Sequence, residues 1–226
     1  MTTAEVGPIP LLIVPLGATE QHGPHLPLDT DTRIATAWAT AVAREIPNAQ
    51  VAPALPYGSS GEHQSFEGTL SIGQQALQLV VVELVRSAMR SAKRVLLLSG
   101  HAGNAAPLRT ATAQLRHEGH DVHSLIPMLD GSDAHAGRTE TSLMLAIAPE
   151  TVHMDRAVAG NTAALGTVID ALRRGGVAAV SSNGVLGDPA AATPDEGHQL
   201  LAQLVALALD ALGHTTSGES DDSTAC

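Results

Sequence analysis

The stretch Pro15-Leu-Gly-Ala-Thr-Glu-Gln-His-Gly-Pro-His-Leu-Pro-Leu-Asp-Thr-Asp31 directly follows the apolar run Leu11-Leu-Ile-Val14. A short apolar run bounded by Pro and Gly reads as a buried strand. The segment after it reads as a shaped loop, since Pro24 and Pro27 restrict φ while Gly17 and Gly23 permit positive φ. Glu20, His22, His25, Asp29 and Asp31 all fall within that loop. Carboxylates and imidazoles gathered at the end of a buried strand can hold divalent metal ions. Residues two apart in extended backbone point the same way, so Glu20 and His22 can face one cavity. Asp31, at the start of the next helix, can return to the same point.

Outward from this stretch, short apolar runs alternate with amphipathic segments. Strands are predicted over Leu11–Val14, Val51–Leu55, Val95–Leu98 and Val122–Ile126. Helices are predicted over Thr32–Ile46, Gln74–Arg90, Pro107–His117 and Thr139–Ala148, near Asn161–Arg174, and over Asp195–Leu212. Thr30 or Asp31 is placed to cap the first helix. The alternation predicts an α/β fold: one compact domain over residues 1–212, with a mostly parallel sheet flanked by helices. Residues 213–226 are polar and acidic without periodicity, and a disordered tail is expected there.

Composition narrows the function. Hydrophobic residues make up 44% of the chain but aromatics only 1%, so the core must be built from Ala, Val, Leu and Ile. The net charge of −11 argues against nucleic acid or an anionic membrane as partner, because no basic stripe exists to neutralise phosphates. The single cysteine, Cys226, excludes an internal disulfide and a Cys-based zinc site. Met1-Thr-Thr-Ala-Glu has no basic leader and no segment approaches a membrane span, so a soluble cytoplasmic protein is expected.

In open α/β sheets functional groups gather in loops at the carboxyl ends of strands. Glu62 and His63 follow the second predicted strand, inside a loop flanked by Tyr57 and Phe66. His101 follows the Leu-rich strand in Ser99-Gly-His-Ala-Gly-Asn104, and His135 with Glu140 follows the run over 122–126. Glu20, His22, Asp31, His101 and Glu140 are too many ligands for one tetrahedral zinc and suit two metals sharing a carboxylate. Structural roles stand beside this reading: His101 as a residue at a helix start, His135 and Glu140 as surface residues beside a cap. His117, His120 and His123 read as solvated residues near a helix end, because Gly119 interrupts the helix between them. His153, His198 and His214 read as surface positions.

The motifs Gly17–Asp31, Tyr57-Gly-Ser-Ser-Gly-Glu-His63, Gly68-Thr-Leu-Ser71, Gly100-His-Ala-Gly-Asn104 and His135-Ala-Gly-Arg-Thr-Glu-Thr-Ser142 together resemble the creatininase family of metal-dependent amidohydrolases. The resemblance implies a compact α/β fold, a binuclear centre holding two divalent ions (zinc, iron or manganese), and homo-oligomers. It implies that Glu20 and His101 bind one metal, His22 the other, and that Asp31 bridges them. Creatinine hydrolases carry a metal-binding glutamate two residues after the histidine of the glycine motif. Gly103 stands there in this chain, so Glu140 is the implied replacement. His135 matches the histidine that assists proton transfer. Tryptophans placed around creatinine are missing, since Trp38 lies in the first helix, and creatinine is not the expected substrate.

Asp29-Thr-Asp-Thr-Arg-Ile-Ala-Thr36, Arg173–Ser181 and Asn183–Thr193 resemble more narrowly the mycofactocin-system branch. That likeness implies peptidase action on a modified precursor peptide, releasing its C-terminal Val-Tyr-derived unit. Glu62, His63, Tyr57 and Asn104 are then candidates for substrate contacts or for support of the ligands, and Tyr57 and Phe66 for stacking or simple loop packing. Hydrolysis of a small cyclic amide or formamide, and a non-catalytic metal-stabilised oligomer, are the competing readings.

Overall fold

The computed structural model describes residues 7–127, 129 and 131–214. Its centre is a four-stranded parallel sheet in the order β2-β1-β3-β4, formed by β1 (Leu12–Leu16), β2 (Gln50–Val51), β3 (Val95–Ser99) and β4 (Val122–Leu125). Strand residues alternate between two cores because successive side chains point to opposite faces. Ile13, Leu96 and Leu98 pack under α1 (Thr30–Glu45), α4 (Arg138–Ile147) and α6 (Pro194–Ala211). Val14, Leu16, Val95 and Leu97 pack under α2 (Gly73–Ala88) and α3 (Ala105–His117). Every residue of β3 is buried, which explains the unbroken apolar run Val95–Leu98.

α1 buries Ile34, Ala35, Trp38, Ala39 and Val42, a helical stripe facing the sheet. Trp38 is fully buried and its indole N–H donates to the Leu204 carbonyl of α6 at 2.7 Å. It is a core residue, and its truncation to Ala would cost about 3–5 kcal/mol. α1 begins at Thr30 with no side-chain cap bond, so the capping role expected of Thr30 or Asp31 is not realised. Asp31 instead turns its carboxylate toward two imidazoles.

The second strand is shorter than expected. Only Gln50–Val51 pair as a ladder, with one isolated bridge between Leu16 and Leu55. Pro53 and Pro56 lack the N–H that a continuous ladder needs. The segment before α6 holds α5 (Leu165–Gly175), none of whose residues is buried, and a short 3₁₀ turn over Val177–Ala179. The acidic tail expected over 213–226 lies outside the described residues from 215 onward. Among the described residues no helix is long and apolar enough to cross a membrane.

The chain runs from β1 outward to β2, then crosses back to β3 and on to β4. The direction of winding therefore reverses between β1 and β3, and ligand-bearing loops open there at the carboxyl ends of the strands.

Candidate metal centre

Glu20 and His22 sit in the loop leaving β1, and His101 directly follows β3. Asp31 reaches them because glycines let the start of α1 approach both strand ends. A Cβ on Gly17 would collide with Thr32, and one on Gly100 with the Asp31 backbone. Glu20, His22 and Asp31 are fully or almost fully buried, as are His63, His101 and His135. Two groups of ligand atoms, each within 4.8 Å of one another, result: Glu20 with Asp31 and His101, and His22 with His135 and Glu140. Glu20 also lies within that distance of His63 and His135.

Asp31 joins the two groups. Its Oδ1 is 3.1 Å from His22 Nε2 and its Oδ2 is 3.5 Å from His101 Nδ1. Glu140 Oε2 is 3.8 Å from His22 Nε2 and 4.0 Å from His135 Nδ1. Glu140 is aimed by Ala136, whose N–H donates to it at 2.6 Å from a backbone at φ 50. A non-glycine residue there carries local strain, and such strain recurs at functional sites.

Three imidazoles share one arrangement. A ring nitrogen facing a carbonyl oxygen must carry the proton, which leaves the other nitrogen free to ligate. His22 Nδ1–H donates to the Glu20 carbonyl at 3.0 Å, His101 Nε2–H to the Ser59 carbonyl at 3.1 Å, and His135 Nε2–H to the Gln21 carbonyl at 2.8 Å. Each then turns its second nitrogen toward Glu20, Asp31 or Glu140. This is how metal-binding histidines are oriented.

Charge in the site is unbalanced without a cation. Burial alone would push the His22 and His101 pKa values down, yet carboxylates outweigh it and raise both to about 10: Asp31 and Glu140 for His22, Glu20 and Asp31 for His101. Burial would raise Glu20, but His101 and its neighbours hold that carboxyl well below its usual range. Burial lifts Asp31 to about 6 despite His22. His63 is pushed down to about 2 by burial and by His135, and burial and His22 lower His135. Both Glu20 carboxylate oxygens and Asp31 Oδ2 are buried with no hydrogen-bond partner. Orphaned buried carboxylate oxygens beside inward-facing imidazole nitrogens fit divalent cations.

Above the centre lies a cavity of about 280 Å³. Glu62, His63, His101, His135 and Glu140 contribute to its polar lining beside Ser132, Asp133 and Thr139, and Leu129, Leu143, Ile169, Leu172 and Leu186 supply much of its apolar lining. Of the expected substrate or supporting residues, Glu62 and His63 reach this cavity. Asn104 lies beneath it, bonding the Ser59 N–H, the Gly17 carbonyl and Ser99 Oγ, so it braces the loop that receives His101. Tyr57 is 47% exposed and does not line the cavity, nor does Phe66. Tyr57 stands between Pro56 and Gly58, and the cavity holds no aromatic side chain other than imidazoles.

His25 is buried and bonds Thr141 Oγ1 at 2.9 Å, and Asp29 pairs with Arg33 at 2.8 Å, so neither belongs to the ligand set. His120 and His123 pair with neighbouring acids far from the centre, His123 from within β4. Gln21, which the sequence did not single out, touches both His63 and His135. Its only signal was its place between two ligands.

A doubly wound sheet carrying two adjoining carboxylate–imidazole clusters under an apolar cavity defines a binuclear metal-dependent hydrolase. The sequence profile of the creatininase family, described as creatinine amidohydrolase, matches residues 1–212. The chain belongs to the creatininase family. It is 51% identical over 217 residues to a mycofactocin precursor peptide peptidase of Mycobacterium ulcerans, covering 92% of this chain and 87% of that protein. The peptidase of the same name from Mycolicibacterium smegmatis is 50% identical over 202 residues, covering 87% and 82%. Among solved structures, a creatinine amidohydrolase (creatininase) superimposes with a TM-score of 0.73 at 27% identity, covering 93% of this chain and 90% of that one.

Gly103 explains one departure from creatinine hydrolases. A Cβ at this position would collide with His101 Nε2 and Glu62 Oε1. Glu62 occupies the space a residue-103 side chain would need, and Glu140 approaches the second cluster from α4.

Proposed function

We propose that this chain is a metal-dependent peptidase that cuts the modified mycofactocin precursor peptide and releases its C-terminal Val-Tyr-derived unit. The observation that carries the reading is the pair of ligand clusters joined through Asp31, in a chain half identical to peptidases of that name. Glu20 and His101 would hold one ion and His22 and Glu140 the other, with Asp31 facing both pairs. The mixed oxygen and nitrogen donors suit zinc, iron or manganese. Divalent ions held there supply Lewis acidity and lower the pKa of water toward neutrality.

The chain's own residues do the rest. His135, its Nε2–H held by the Gln21 carbonyl, presents a free Nδ1 to the centre. It takes the proton of the attacking water and delivers it to the amide nitrogen as the C–N bond breaks. His63, proton on Nε2 and 3.4 Å from Glu20 Oε1, steadies that carboxylate. Glu62, at the cavity wall, orients the substrate backbone. The aliphatic walls exclude water from the scissile amide and accept aliphatic groups.

A second role for His135 has a specific observation behind it. Its Nδ1 lies within ligand distance of the His22 and Glu140 atoms, so it can serve as a ligand of that cluster. The reading also includes a cytoplasmic homo-oligomer, whose assembly sedimentation velocity would measure.

The test is to incubate the metal-loaded protein with the modified precursor and follow products by mass spectrometry. Release of the C-terminal unit should stop on chelation and return on adding metal. Hydrolysis of a small cyclic amide with none of the precursor would favour the small-amide alternative. Chelation that unfolds the protein, with no hydrolysis of either substrate, would favour a structural metal site.

A further inference from the structure

A groove of about 930 Å³ continues from the metal cavity, the two sharing Glu62 and Leu172 as common walls. One face of α5 roofs the cavity through Leu165, Ile169 and Leu172, and the last turn of the same helix carries Arg173 and Arg174 into the groove. Opposite them the walls are Ser59, Ser65, Ser71 and Gln74, with glycines between. The groove is large enough for a ligand of several residues, with Arg173 and Arg174 as its cations and Glu62, at the join with the metal cavity, as its one acidic wall residue.

The two arginines are distinguished by their place in a groove of an acidic molecule. The chain has 12 Lys and Arg against 23 Asp and Glu, and many of its arginines are paired with acids: Arg33 with Asp29, Arg86 with Glu83 and Glu118, Arg94 with Asp121, Arg138 with Glu196. Arg173 and Arg174 are exposed and paired with no described residue. Cations in a last helical turn also complement the helix dipole, but that role does not require a groove.

We propose that this groove binds a carboxylate-bearing stretch of the peptide substrate beside the bond cut in the metal cavity, with Arg173 and Arg174 as its anchors. The inference rests on the peptidase reading above. Guanidinium groups take carboxylates in paired, planar hydrogen bonds, which fixes register as well as affinity. With both arginines engaged, the peptide passes Glu62 and Leu172 and enters the cavity with its scissile amide over the ligand clusters. The carboxylate comes either from acidic side chains of the peptide or from its terminus.

The experiment is steady-state cleavage of the modified precursor by the metal-loaded wild type and by an Arg173→Gln/Arg174→Gln double variant. KM should rise about tenfold while kcat stays within about twofold, the pattern of lost ground-state binding. Raising salt from about 50 to about 500 mM should raise KM for the wild type and barely move it for the double variant. The Arg173→Lys/Arg174→Lys variant should recover most of the lost affinity, which a role confined to folding would not explain. Two altered substrates separate the sources: one with every Asp and Glu replaced by Asn and Gln, one with a C-terminal amide. Whichever raises the wild-type KM to that of the double variant identifies the carboxylate. An unchanged KM in the double variant, or no effect from either altered peptide, overturns the groove while leaving the peptidase reading intact. A wild type that does not cut the precursor overturns both.

Discussion

Gln21 holds His63 in a single tautomer: the Gln21 side-chain Nε2 lies 2.9 Å from His63 Nδ1, while Gln21 Oε1 accepts from the Gly23 N–H. The amide's two hydrogens go to His63 and to the Gly184 carbonyl, 3.1 Å away. Its backbone carbonyl fixes His135 at the same time. One residue between Glu20 and His22 thus orients two further imidazoles. Gln21→Leu should leave the fold intact and reduce metal affinity or kcat/KM about 10–100-fold, the usual effect of removing a partner of ligating groups. Metal titration and kinetics on the same preparation would check it, and a variant indistinguishable from wild type would deny Gln21 this role.

Asp31 faces both clusters, so its loss should disturb both. Asp31→Asn is expected to bind fewer than two ions per chain and to lose at least about a thousandfold in activity, whereas His22→Ala should lose one ion selectively. Elemental analysis after dialysis measures the stoichiometry. Full occupancy in both variants would be incompatible with a binuclear centre built on these residues.

His135→Ala separates the two roles open to that residue. As the proton carrier, its removal should leave metal content unchanged and lower kcat by about two to four powers of ten. Loss of one ion would make it a ligand instead.

Protons stand in for cations when the site holds no metal. His22 and His101, raised from 6.5 to about 10, are both protonated at neutral pH in that state. Metal must displace those protons, so affinity should increase with pH by about tenfold per unit for each proton released. The raised values also stabilise the metal-free fold fully below pH 6.5, and this contribution is lost as pH rises through about 10. Metal-free protein should therefore melt at progressively lower temperature above pH 7, and metal-loaded protein should not. Calorimetric melting of both forms across that range is the check.

Gly100 brings α1 against the end of β3. A methyl group there meets the Asp31 carbonyl, so Gly100→Ala should displace Asp31 and cost both ions. Circular dichroism with metal analysis would distinguish a displaced ligand from a lost fold, and normal binuclear loading would show that the close approach is dispensable.

Much of the fold and centre is legible in the residues. Unbroken apolar runs such as Val95–Leu98 mark strands buried on both faces, and helices α1 to α4 begin and end within two residues of the predicted bounds. Glu20, His22 and Asp31 are legible because they fall within twelve consecutive residues, from the loop after β1 to the first turn of α1. The short β2 is less so, since apolar composition cannot report that prolines interrupt the ladder. Tyr57 is exposed and does not line the cavity, and nearness in sequence to Glu62 does not settle whether a side chain faces in or out.

The sequence by itself determined the chemistry available to this protein: which strands are buried, which loops follow them, and that carboxylates and imidazoles crowd those loops. Only the tertiary structure decided how they act together. The reversal of winding between β1 and β3 sets the two loops side by side, and glycines admit Asp31 between them. Backbone carbonyls then choose the free nitrogen of His22, His101 and His135. Such choices depend on atoms far apart in the chain and a few ångströms apart in space, which local patterns of residues do not encode.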